Sequence, residues 1–144
     1  MEQKSSDSNH IKVNIQHHQT AHCESGATTN LLKFEGIHIT EPLSFGIGSG
    51  IFFMHVPFLK EGGIPQTTYR IWPGYIFKRT MKLLNIDYAI TSFKHADEGM
   101  DALDAVLAMG KPVGCITNIF YLDYVPEVMR FHLNVHNLIV YGKE

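Results

Sequence analysis

The chain has 144 residues, of which 44% are hydrophobic and 18% charged, and it carries a formal net charge of -2. This composition is that of one globular domain, and the balanced charge gives no electrostatic attraction to nucleic acid or to an anionic membrane surface. The polar start at residues 1–9 lacks a signal-peptide core, and no stretch approaches the roughly 20 apolar residues that cross a bilayer, so we expect a cytoplasmic protein.

The first predicted element is a helix. Residues 1–10 are polar and show no apolar periodicity, which predicts a disordered tail followed by one domain over 11–144. Apolar residues then recur at helical spacing between Cys23 and Phe34, and Gly36 is well placed to end that helix. Cys23 is therefore predicted to open the helix.

The middle of the chain predicts a short helix followed by strands. A helix should begin at Pro42, because Thr40 is a good N-cap and proline favours the first helical position. The aromatic and branched run over 51–54 favours a buried strand. After a glycine turn at 62–65, a further strand is predicted over 67–72.

The second half of the chain alternates between helical and extended patterns. Helices are predicted over 75–84 and from a cap at Asp97 to Gly110, and strands over 87–93, 112–117 and 131–141. Helices come first and strands cluster toward the end, which indicates an α+β fold.

The two cysteines, Cys23 and Cys115, form no disulfide framework and are interpreted as free thiols. A helix N-terminus with imidazoles nearby stabilises a thiolate, so the position of Cys23 suits a nucleophile. The alternative for Cys23 is a space-filling buried thiol, since free cysteine is among the most buried residue types. Cys115 lies in an apolar strand and is assigned to the core.

Two histidines in the last predicted strand are candidates for the base that takes the Cys23 proton. Residues four apart in a strand share a face but stand about 13 Å apart, so only one of His132 and His136 can reach the thiol. On pattern alone, either can equally be a hydrogen-bonded strand residue. His136 is preferred because it leads into the apolar run 138–142, whereas His132 follows the looser segment 126–130.

A zinc site is the competing interpretation of residues 17–23, which contain three histidines and Cys23. Imidazole and thiolate are preferred zinc ligands, but the spacing matches no known zinc pattern and Cys115 is remote, so zinc is not expected. The glycines at 46, 48 and 50 lack the lysine of a phosphate-binding loop and are expected to permit tight packing.

Four segments between residues 22 and 142 occur in the order of a known family. They are His22-Cys23 at a helix start, 39–41 with 45–50, 120–122 after the strand at 111–113, and His136 with 140–142. Together they resemble the N-terminal domain of butirosin biosynthesis protein H, a papain-like acyltransferase that moves an acyl group from an acyl carrier protein to an aminoglycoside.

The resemblance implies a papain-like fold, with N-terminal helices packed on an antiparallel sheet, Cys23 as nucleophile and His136 as base. It implies acyl transfer from the phosphopantetheine thioester of an acyl carrier protein to a small-molecule amine in secondary-metabolite biosynthesis, with no other cofactor. Papain-like folds also resemble bacteriocin-processing peptidases, so leader-peptide cleavage by the same pair is an alternative. A further alternative is an inactive or split domain that only binds a partner.

The chain departs from the family pattern at its end. Asn118 and Asp123 stand where the pattern has Asp and Pro, and Lys143-Glu144 replace Tyr-Asp. In papain-like sites an Asn or Asp after the histidine strand orients the imidazole, and losing such a group can cost on the order of 10⁴ in turnover. We therefore expect a domain that is truncated at the C-terminus, without an identified third catalytic residue, for which a second polypeptide is a candidate partner.

Overall fold

The structure is a computed structural model that describes residues 11–69 and 71–143. Within these ranges it contains helices α1 (Cys23–Phe34), α2 (Glu41–Ile47), α3 (Tyr75–Leu83) and α4 (Ala96–Ala108). Three antiparallel strand pairs accompany them: β1 (Ile11–Lys12) with β6 (Gly142–Lys143), β2 (Met54–Glu61) with β3 (Ile64–Thr68), and β4 (Val113–Asn118) with β5 (Asn134–Val140). The predicted α+β class is confirmed. The predicted tail at 1–10 lies outside the described residues.

Helix α1 forms where the sequence predicts it. His22 is the N-cap, with extended backbone and a ring Nδ1 that faces the Ser25 N–H at 3.4 Å. At the other end Gly36 adopts a φ of 81°, a left-handed conformation that glycine tolerates. The face of α1 toward the preceding segment is polar, and Asn30 exchanges hydrogen bonds with both backbone groups of His18, at 2.7 and 3.0 Å. Asn30 thereby holds the segment that precedes Cys23 against the side of α1.

Helices α1, α2 and α3 pack on one another through small and polar side chains. The predicted cap of α2 is confirmed, because the Thr40 side chain accepts from the Leu43 N–H. Ser44 and Thr80 are fully buried, with their hydroxyls 3.3 Å apart between α2 and α3. The hydrophobic side chains buried most completely among the described residues are Val13, Leu32, Ile76, Met81 and Leu107.

The sheet of β4 and β5 lies against α1. Thr117 is opposite His136 in its register, and Gly114 is opposite Ile139. A Cβ added at Gly114 would stand 2.9 Å from the Leu31 side chain, so helix and sheet approach closely at this glycine. Helix α1 also packs directly on β5, so this strand lies beside the helix that Cys23 opens.

Helix α4 lies beside β1 and β4. It begins at Ala96 with His95 as N-cap, so the prediction that Asp97 caps the helix is wrong by two residues. Asp97 stands instead in the first turn, where a carboxylate suits the positive end of the helix dipole. Gly110, with a φ of 74°, follows the helix end as predicted. Among the described residues, no helix is long and apolar enough to span a bilayer.

The predicted buried strand over 51–54 is wrong. Ile51 is 86% exposed, and the strand begins only at Met54. The apolar run at 51–54 would form a buried strand only if other elements covered it. In the described chain, β3 is the one strand beside β2, so this cover is missing. The predicted glycine turn is confirmed at 62–63, but the strand after it ends at Thr68 rather than at residue 72.

The predicted strand over 87–93 is also wrong, since this segment has no regular secondary structure. Asn85 adopts a φ of 54° just after α3 and turns the chain back along the helix. Tyr88 then packs edge-on against Phe77, with ring centroids 5.2 Å apart. The alternating pattern of residues 87–93 therefore belongs to a segment that packs on helix α3 and does not pair with a strand.

Strand β5 starts three residues later than predicted. The Leu133 N–H donates to the Phe131 carbonyl and the Val135 N–H donates to the Leu133 carbonyl, so the chain turns tightly before Asn134. His132 therefore lies outside the strand, and the prediction that it shares a strand face with His136 is wrong.

Candidate active site

Cys23 is the first residue of α1, and its thiol faces β5. Its Sγ lies 3.9 Å from the carbonyl oxygen of Val135, the residue before His136. Both Cys23 and His136 line a cavity of about 1180 Å³ between the segment before α1, the helix itself and β5. The two residues singled out as nucleophile and base are thus brought to one cavity.

His136 is held in that position by the sheet. The Thr117 hydroxyl donates to the His136 carbonyl at 3.1 Å across the β4–β5 pair. The imidazole lies beside the ring of Tyr124, with centroids 6.2 Å apart. No hydrogen bond joins Cys23 to His136 among the described residues, a geometry common in active sites without substrate, where catalytic hydrogen bonds tighten on binding.

His132 points to a different environment. Its ring stacks on Phe120 with centroids 3.8 Å apart and meets Tyr121 edge-on at 5.9 Å. It does not belong to the lining of the cavity that holds Cys23. The structure separates the two histidines that the strand pattern left as alternatives.

Glu41, at the start of α2, fixes the backbone that leads into Cys23. Its carboxylate accepts the N–H groups of Ala21 and His22 at 3.0 and 2.7 Å, and the Ser25 hydroxyl at 3.2 Å. Partial burial acts to raise the pKa of Glu41, but these hydrogen bonds and the charge of His22 outweigh it and hold the pKa below its ordinary value. Sequence reasoning from the residues missed this role, although Glu41 lies in one of the family-like segments.

Tyr124 is a second residue that the sequence did not single out. Its side chain is 67% exposed, but partial burial raises its pKa, and the negative charge that Cys23 carries when ionised raises it further. Together with its ring contact to His136, this places Tyr124 beside both members of the pair. A tyrosine in a loop between two short 3-10 turns carries no sequence signal for such a position.

A known protein family matches most of the chain. Residues 22–144 match the family described as "Butirosin biosynthesis protein H, N-terminal". The chain belongs to this family. No curated protein and no solved structure matches it. The matched range begins one residue before Cys23 and includes His136. Membership of the family is consistent with a papain-like fold, and it links the chain to the biosynthesis of butirosin-type antibiotics.

Two departures from the pattern of the butirosin biosynthesis protein H family have structural roles. Asn118 caps the 3-10 turn Ile119–Tyr121, accepting the Phe120 N–H at 3.0 Å. Asp123 is exposed and lies 3.7 Å from Arg130, which also donates to the Asp123 carbonyl at 2.7 Å. Neither position lines the cavity of this family member.

Asn137, next to His136, carries an unexplained polar group. Its side-chain nitrogen is buried and has no hydrogen-bond partner among the described residues, and the residue lines the cavity with Cys23. Buried polar groups are nearly always hydrogen-bonded, so this amide stands out in the site.

Cys115 differs from Cys23 in its surroundings. It lies in β4 opposite Leu138, with its thiol 4.0 Å from the Val113 carbonyl, and burial raises its pKa. A raised pKa lowers the thiolate fraction at neutral pH. Cys115 is only half-buried and is not among the residues buried most completely, so its assignment to the core holds only in part.

The histidines of the 17–23 segment face different partners. His18 contacts Asn30 through its backbone and Lys33 through its ring, while the His22 ring packs edge-on against Phe45 with centroids 5.1 Å apart. In the described ranges no three His, Cys, Asp or Glu side chains group closely enough to hold a metal ion.

Proposed function

We propose that this domain transfers an acyl group from an acyl carrier protein thioester, through Cys23, to a small-molecule amine. The observation that carries the proposal is the opening of Cys23 and His136 onto one cavity in a member of the butirosin biosynthesis protein H family. A thiol at a helix N-terminus is suited to thioester exchange, because the helix dipole favours the thiolate.

In the first step the Cys23 sulfur attacks the carbonyl carbon of the thioester. A new carbon–sulfur bond forms to Cys23 while the bond to the pantetheine sulfur breaks. His136 takes the thiol proton and gives it to the departing pantetheine thiolate, so the products are acyl-Cys23 and the free carrier thiol.

In the second step the amine nitrogen attacks the acyl-Cys23 carbonyl. The new carbon–nitrogen bond replaces the bond to Cys23, and His136 accepts the proton that the amine loses and returns it to the thiolate. The net reaction converts a thioester and an amine into an amide and a thiol, and it requires no other cofactor.

Intact mass spectrometry tests the first step. After incubation with acetyl-pantetheine, the protein should gain one acetyl group at Cys23, the Cys115→Ser variant should gain it equally, and Cys23→Ser should not. An unmodified protein, or modification at Cys115, would contradict the proposal. Cleavage of a bacteriocin-type leader peptide without acyl-Cys23 formation would favour the peptidase alternative.

A further inference from the structure

Helix α3 carries an exposed cluster of positive charge. Lys78, Arg79 and Lys82 are all exposed, and the helix contains no acidic residue; these three residues form the basic face. Arg79 donates its Nε to the Ile47 carbonyl at 3.0 Å, which holds its guanidinium at the surface. In the part of the chain that the structure describes, none of the three forms an ion pair.

The basic face opposes the stability of its own helix. Lys78 and Lys82 stand four residues apart, where like charges repel across one helical turn. The N-cap of α3 is Gly74, which has no side chain to cap the helix. Helix α3 is instead secured by its buried residues Ile76, Thr80 and Met81.

The basic face begins beside the turn that carries the nucleophile. Glu24 follows Cys23, and its buried carboxylate accepts the Phe77 N–H at 3.0 Å. Lys78 follows Phe77, and Lys82 lies only about 6 Å farther along the helix axis. A partner seated on this face would therefore stand at the end of α1 that holds the thiol.

Aromatic side chains border the basic face at that same end. Trp72 is 63% exposed and Tyr75 is 39% exposed, and the Tyr75 N–H donates to the Trp72 carbonyl at 3.0 Å. Trp, Tyr and Arg are enriched at the energetic centres of protein interfaces. A surface that combines exposed aromatic residues with positive charges is suited to binding an acidic protein.

We propose that the basic face of α3, with Trp72 and Tyr75, docks an acidic surface of the carrier protein that presents its thioester to Cys23. This inference rests on the proposed function. Opposite charges at such a surface raise the encounter rate and select the partner, and their effect falls as salt screens it. The pantetheine arm alone lacks that protein surface and gains none of this attraction.

The experiment compares two donors carrying the same acetyl group: acetyl-pantetheine and an acidic holo acyl carrier protein loaded with acetyl. The test variant is Lys78→Glu/Lys82→Glu, and the matched control is Lys60→Glu/Lys111→Glu, which changes net charge equally at two other exposed lysines. Initial rates of acyl-Cys23 formation are measured at low and high salt, with thermal melting to confirm that both variants fold.

At low salt, the second-order rate constant for acylation of Cys23 by the carrier protein should fall about tenfold or more in the test variant. It should fall much less in the control. High salt should shrink that difference, and acetyl-pantetheine should acylate all three proteins alike. Equal losses in both variants, or an equal loss with acetyl-pantetheine, would overturn the docking surface while leaving the proposed function intact. A salt-sensitive dimer abolished by the test variant would assign the face to a second copy instead. Failure of both donors with the unmodified protein would overturn the proposed function and this inference together.

Discussion

At the scale of single residues, the two thiols should differ in reactivity. Cys23 opens a helix onto a cavity, whereas burial raises the pKa of Cys115. Iodoacetamide at neutral pH should therefore label Cys23 first, as measured by peptide mapping over time. Faster labelling of Cys115, or equally slow labelling of both, would remove the nucleophile assignment.

The two histidines give a matched pair of variants. His136→Ala should slow acylation of Cys23 by about 10²–10⁴-fold, the usual contribution of a positioned acid–base group. His132→Ala removes a ring that stacks on Phe120 outside the cavity and should change the rate by no more than about twofold. The acylation rates are measured with acetyl-pantetheine, by intact mass spectrometry of samples quenched at successive times. The reverse ranking would require the site to be redrawn around His132.

The site was only partly readable from the sequence, for reasons that individual residues show. Cys23 was found because helix periodicity, an N-terminal position and a thiol coincide in one short segment. The choice between His132 and His136 depended on a strand start that the chain sets by tight turns before Asn134. Glu41 and Tyr124 reach the site through tertiary contacts, 18 or more residues away from Cys23 in sequence, and local patterns do not encode such contacts.

At the level of elements, the two glycines at the end of α2, Gly46 and Gly48, differ in how closely other residues pack against them. A Cβ at Gly48 would stand 2.5 Å from the Ile76 side chain and 2.7 Å from the Ser44 carbonyl, whereas at Gly46 nothing lies within 4 Å. Gly48→Ala should therefore lower the free energy of unfolding by about 1–3 kcal/mol. Gly46→Ala, inside α2, should raise it by about 0.5–1 kcal/mol.

Urea denaturation of the two alanine variants measures these opposite shifts. Equal effects at both glycines would show that α2 and α3 do not pack as described. The sequence prediction that these glycines permit tight packing holds at Gly48 and at Gly50, where a Cβ would stand 2.4 Å from the Phe45 ring, but not at Gly46.

Glu41 makes the junction of α1 and α2 sensitive to acid. Its pKa is lowered in the folded protein, so its contribution to stability is present above the ordinary value of 4.5 and is lost as pH falls through the lower folded value. Glu41→Gln should cost about 1–2 kcal/mol at neutral pH, because one accepting oxygen becomes a donor facing a backbone N–H.

The measurement is the free energy of unfolding of both proteins at pH 7 and at several values below 4.5. The difference between them should shrink in the acid range. A constant difference across that range would show that the carboxylate charge is not what holds the segment before Cys23.

At the scale of the whole molecule, the fold class and helices were predictable, while two strands were not. The start of α1 follows from apolar spacing and its end from Gly36, which are local signals. The run at 51–54 and the alternation at 87–93 have the composition of strands, but whether such a segment pairs depends on neighbours that are distant in sequence. Ile51 and Phe58, 86% and 88% exposed, lie in a region that the described chain leaves uncovered.

In the proposed reaction, Cys23 passes its acyl group to an amine and not to water. The direct test isolates acetylated protein, removes the donor, adds a small aminoglycoside and follows the intact mass and the released products. The acetyl group should leave Cys23 faster as the amine concentration rises, and it should appear as an amide of the aminoglycoside. Release as acetate at one rate, with or without the amine, would contradict it.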